Sequence, residues 1–124
     1  MAGLQNNTPV PDELRLRSGG KILILSYPDL GEVSLSAEFL RVYSPSAEVR
    51  GHGQGNEVLQ IGKEDVRITG IEPVGNYAVK LIFSDGHDSG LYSWDILHEF
   101  ATGHQALWQT YLQRLQAAGH TRKA

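Results

Sequence analysis

Five histidines, His52, His87, His98, His104 and His120, are the only side chains whose ordinary pKa lies near neutrality, and two of them stand where a site could form. His87 follows the pair Asp85-Gly86 and precedes Asp88, so a carboxylate is at hand to orient its ring. His52 sits between Gly51 and Gly53, in a stretch whose glycines permit close backbone approach. If that loop folds over the segment carrying His87, then His52, His87 and Asp85 or Asp88 converge on a divalent metal, with zinc or iron as the ions in question. The competing reading makes His87 a solvated turn residue. His98, His104 and His120 are assigned to a helix surface or helix ends.

Other chemistry is weaker in this sequence. The run Gly51-His52-Gly53-Gln54-Gly55 has neither a Gly-Lys-Ser/Thr ending nor GxGxxG spacing, so a nucleotide phosphate lacks its expected cradle. Ser44 and Ser46 flank Pro45 and read as turn formers, because neither stands in a Gly-x-Ser-x-Gly elbow. Glu64-Asp65 looks like a solvated turn. Tyr77, Tyr92 and Trp94 could form a stacking platform, but large rings also close the corner where a strand meets a helix. The absence of cysteine excludes disulfides, thiolate nucleophiles and thiolate-held zinc or iron–sulfur clusters.

Eleven Lys and Arg against fourteen Asp and Glu give a net charge of −3, spread over both halves, so no basic half is available to track nucleic acid. The longest aliphatic run, Ile22 to Leu25, is far short of the roughly 20 residues that cross a bilayer. The start, Met1 to Thr8, lacks the apolar centre of a secretory signal. The expectation is a cytoplasmic protein with no nucleic-acid and no membrane partner. Its 124 residues suit one small domain.

The elements that would position these residues follow from periodicity. Residues 1–11 read as a disordered arm. Leu14 and Leu16 alternate with Arg15 and Arg17, Ser18-Gly19-Gly20 turns the chain, and Lys21 to Leu25 returns it, a β-hairpin. Glu32 to Leu35 has period two, and Ser36 is placed to cap a short helix from Ala37 to Leu40. Ser44 to Gly62 is irregular. Ile68 to Val74, Tyr77 to Phe83 and His87 to Tyr92 make a three-stranded meander, with Asp85-Gly86 suiting a type I′ turn and Tyr77, Val79, Leu81 and Phe83 on one face, expected on the core. Ser93 can cap a helix over Trp94 to Ala101, and Thr102 and Gln105 have the spacing of a capping box that opens a second helix, ending near Gly119. Its stripe of Leu107, Trp108, Tyr111, Leu112 and Leu115 is expected to lie on the sheet. The fold class is α+β: a small antiparallel sheet made of a hairpin and a three-stranded meander, with a short helix and a C-terminal helical segment packed on it. An exposed sheet edge leaves room for a dimer.

Three segments in order carry a resemblance: Ser44-Pro45-Ser46-Ala47-Glu48-Val49-Arg50-Gly51-His52-Gly53, then Ile68 to Val79, then Phe83-Ser84-Asp85-Gly86-His87-Asp88-Ser89-Gly90-Leu91-Tyr92-Ser93-Trp94. Together they resemble the gamma-butyrobetaine hydroxylase-like N-terminal domain family, over about residues 12–101, as a stand-alone member. Residues 102–119 form the C-terminal helix outside it and 120–124 a loose tail. The resemblance implies an accessory module, because such domains precede an iron- and 2-oxoglutarate-dependent oxygenase domain or accompany iron–sulfur carrier proteins. No histidine here is followed two places later by Asp or Glu, so no dioxygenase facial triad is expected.

The resemblance also implies a zinc module held by three cysteines and a histidine. The histidine corresponds to His87, and the cysteine positions to Ser44, Ser46 and Val49. What remains is either an oxygen- and imidazole-lined site of His87 with His52 or Asp88, or a hydrogen-bonded remnant that ties the Ser44 to Gly55 loop to the meander. The functional expectation is a non-catalytic protein-interaction module, its partner an iron–sulfur carrier or oxygenase, with a degenerate metal-binding module around His87 as the alternative. Ser44, Ser46, Gly51, His52, Gly53, Asp85 and Trp94 are the residues expected to form the interaction loop.

Overall fold

A computed structural model describes residues 9–46 and 59–120. Residues 1–8 of the arm expected over 1–11, Gly51, His52 and Gly53 in the glycine loop, and the end of the tail lie outside the described residues.

Alternating leucines and charges form β1 (Glu13–Arg17), which pairs antiparallel with β2 (Ile22–Tyr27), and β2 pairs with β3 (Gly31–Ser36). The β1–β2 connection is a short 3-10 turn in which Gly20 has φ +94°, and a Cβ there would collide with the Ile68 carbonyl oxygen. That close approach sets the first sheet against the start of the second, and only glycine permits it. Ser36 accepts a hydrogen bond from the Phe39 amide and so caps α1 (Ala37–Val42), every residue of which is buried.

The second sheet has the order β4 (Ile68–Val74), β5 (Ala78–Phe83), β6 (Leu91–Ser93). Val79, Leu81 and Phe83 point into a core shared with Leu23, Leu25, Leu35, Phe39 and Tyr92. Tyr77, expected on the same face, lies just before the strand and is exposed. The third strand is half as long as the sequence pattern predicts. After Asp85-Gly86 the chain makes one more ladder bond, Phe83 N to the His87 carbonyl at 3.0 Å, and then leaves the sheet until Leu91. Gly86 has φ +91° but Asp85 keeps a negative φ, so the turn is not type I′. The side-chain demands of His87 and Asp85, described below, outweigh the local turn preference.

The two expected C-terminal helices are one, α2 (Trp94–Ala117), capped by the Ser93 hydroxyl accepting from Ile96 N. Thr102 opens no second helix. Its hydroxyl bonds back to the His98 and Glu99 carbonyls, a choice always open to threonine inside a helix. The first half of α2 sends Leu97 and Phe100 into the main core. In the second half Leu107 and Trp108 still pack on the main core, whereas Tyr111 and Leu115 leave it to pack with Val42 of α1, and Tyr111 Oη donates to the buried Glu38 carboxylate at 2.8 Å. No helix among the described residues is long and apolar enough to cross a membrane.

Candidate functional site

The end of α1 and the β5–β6 turn meet at a cluster of buried polar side chains. Ser44, Ser46 and His87 are 0%, 6% and 8% exposed, so the reading of His87 as a solvated turn residue fails. Ser44 Oγ lies 2.9 Å from His87 Nε2 and Ser46 Oγ lies 3.4 Å from the same nitrogen. With Nε2 as acceptor, the Ser44 hydroxyl donates to it while accepting from Ser46 N at 3.3 Å. Gly90 closes the cluster from the far side, since a Cβ there would run into Ser44 Oγ.

Asp85 ties the same turn to α1. Its Oδ1 accepts from the His87 amide at 3.1 Å, and its Oδ2 accepts from Arg41 Nε at 2.9 Å and Lys63 Nζ at 2.8 Å. Partial burial pushes the Asp85 carboxyl up, but Lys63, the His87 amide and Arg41 together pull it down to about 2. Arg41 is itself buried, and its Nη1 lacks a hydrogen-bond partner among the described residues. A guanidinium in that position depends on the Asp85 carboxylate for its compensation.

The candidate residues from sequence separate accordingly. Ser44, Ser46, Asp85 and His87 come together. Ser44 and Ser46 lie inside the protein instead of on a loop surface. Asp88 is exposed, and it is Asp85 that reaches the His87 backbone. Trp94 is half-buried at the end of the second sheet, its Nε1 donating to the Asn76 carbonyl at 2.8 Å, and Tyr92 Oη donates to the Leu40 carbonyl at 2.6 Å, so both rings close a strand–helix corner. His98 and His104 sit on α2 but pack inward, His98 edge-on to Tyr27 and His104 edge-on to Phe39 at 4.6 Å between ring centres. Burial lowers the His104 pKa. Tyr27 Oη is buried with no hydrogen-bond partner among the described residues, and its pKa is raised to about 12 by burial, with Asp29 adding to it. Arg41 and Lys63 escaped the sequence reading. No signal in the sequence could have found them, because their shared partner Asp85 lies 44 positions from Arg41 and 22 from Lys63.

The family model described as gamma-butyrobetaine hydroxylase-like, N-terminal, matches residues 14–98. The chain belongs to this family. The gamma-butyrobetaine hydroxylase-like region thus takes in both sheets, α1 and the polar cluster, and stops in the first half of α2. Two solved NMR structures of proteins, each 50% identical, are similar over nearly the whole length: one covers 94% of this chain and 92% of its own with a TM-score of 0.82, the other 97% and 89% with 0.79. A crystal structure of a protein of unknown function from Acidithiobacillus ferrooxidans is similar at 32% identity over 76% of this chain and 92% of its own, with a TM-score of 0.59. None of the curated proteins matches the chain.

Whether the residues present suit the zinc that the family resemblance implies is a question of donor chemistry. Two of the positions are neutral serine hydroxyls, poor zinc ligands, and a third is Val49, which has no donor at all. The His87 nitrogen that faces them is engaged by Ser44. Among the described residues no three His, Cys, Asp or Glu side chains converge as a metal set. The donor set does not fit zinc.

Proposed function

We propose that the protein is a non-catalytic accessory module of the cytoplasm that recognises another protein, an iron–sulfur carrier or an iron oxygenase being the class of partner the resemblance suggests. The observation that carries this reading is the Ser44–Ser46–His87 cluster. Its polar groups are buried and turned on one another, so they hold the segment after α1 against the β5–β6 turn and present no group to a substrate. The family description supports it, since a region named for its position before a hydroxylase is by that name a companion to the catalytic part. The exposed tip Gly86, Asp88 and Ser89, held in place by Asp85, is the surface such a partner would meet first.

The test is affinity capture from a native extract, comparing the wild type with Asp88→Arg, a change at an exposed position that spares the cluster. The reading expects one iron or iron–sulfur protein enriched by the wild type and depleted by the variant. Turnover of a small molecule by the purified protein, with no partner distinguishing wild type from variant, would sink it.

A further inference from the structure

Each three-stranded sheet has two edges, and three of the four are blunted or carry little charge. β4 contains Pro73 and a register shift between Ile68 and Gly70, β6 has only three residues, and β3 carries a single charge, Glu32. β1 has no proline and no register shift, and its three charges are of both signs, so they repel another strand only in the wrong register. Among the described residues its outer edge pairs with nothing, leaving a row of backbone donors and acceptors open.

The sequence of that strand, Glu13-Leu14-Arg15-Leu16-Arg17, is complementary to itself when run antiparallel. With the two-fold axis at Arg15, Glu13 of one copy stands opposite Arg17 of the other, twice over, and Leu14 stands opposite Leu16. Leu16 is 40% exposed in the single chain, on the face where Leu14 joins the core, so the pairing would cover it. The two Arg15 side chains meet at the axis, but each is already flanked by carboxylates, Glu32 Oε2 at 3.0 Å and Glu13 Oε1 at 3.4 Å. A register shifted by two toward Leu16 would set Arg15 against Arg17 and lose the match.

We propose that β1 is a self-pairing edge, and that a second copy of this chain adds its β1 antiparallel across a two-fold axis at Arg15, joining two three-stranded sheets into one of six. The interface is isologous and short, because Pro11 has no amide hydrogen to extend the ladder. The dimer is therefore weak and dissociates on dilution. Its opposite-charge pairs make it weaker still in high salt.

Sedimentation equilibrium over a concentration series tests this with two single variants, Glu13→Arg and Arg17→Glu, each first shown by circular dichroism and melting to keep the fold. The wild type should rise from 13.6 kDa toward twice that mass. Each variant alone turns both cross-strand pairs into like charges and should associate about tenfold more weakly. An equimolar mixture of the two restores both pairs in the heterodimer, so the mixture should recover the wild-type curve. A wild type that stays monomeric throughout, or variants that associate as well as the wild type, would overturn the proposal.

Discussion

The two sheets have the same number of strands and are built on different physics. The first is held by period: Leu23, Leu25 and Leu35 bury completely, and β1, β2 and β3 pair without irregularity. The second keeps its apolar face through β5 but breaks off pairing after one ladder bond past the turn and resumes it only at Leu91. There His87, Ser44, Ser46, Asp85 and Arg41 replace backbone pairing with side-chain ties. In the first sheet any apolar residue of suitable size would serve. In the second, the conformation of residues 84–90 rests on a few polar atoms with fixed partners, and each is exposed to single-atom changes.

That contrast can be broken most forcefully at Phe39, which is fully buried and touches the rings of Tyr43, Phe100 and His104. Phe39→Ala should cost about 3–5 kcal/mol, and chemical denaturation should show both sheets lost in one transition. His87→Ala should cost less, about 2 kcal/mol, because it removes the buried ring nitrogen that the Ser44 and Ser46 hydroxyls share. Hydrogen exchange should place the loss unevenly, with amides of 83–90 and 44–46 speeding up while β1 to β3 keep their protection.

Asp85→Asn sharpens the same contrast through pH. Asp85 titrates near 2 when folded against 3.8 in its ordinary state, so its stabilisation is complete above about pH 4 and is lost as pH falls toward 2. With the carboxylate partly open to solvent, its share of that acid sensitivity is about 1 kcal/mol. Denaturation curves should show the wild type losing that increment across this range and the variant lacking it. The smallest effect belongs to His104, whose folded pKa lies below 6.5. Protonation favours the unfolded chain there, so stability declines as pH drops below about 6.5, and His104→Leu should flatten that decline by a few tenths of a kcal/mol.

The legible parts of the fold were those with a period or a cap. The β1–β2 hairpin, Ser36 as cap of α1, the buried face of β5 and Ser93 as cap of α2 all follow from spacing within a dozen residues. The false break at Thr102 came from a local motif overruled by continuous apolar positions on either side of it. The candidate site was half legible. His87 stood out through its neighbours, and its relation to Ser44 and Ser46 came through the family resemblance. The Arg41–Asp85 pair joins residues 44 apart and the Glu38–Tyr111 pair residues 73 apart, and no periodicity connects such distant positions.

Hydrogen bonds among Ser44, Ser46 and His87 tie the segment after α1 to the β5–β6 turn, and a donor set that does not fit zinc should leave that tie indifferent to the metal. Thermal unfolding of the untagged protein after exhaustive chelation, then again with zinc in excess, tests it directly. The expected result is one melting temperature in both conditions, lowered by His87→Ala equally in each. A drop on chelation, or a rise with zinc that His87→Ala removes, would contradict it.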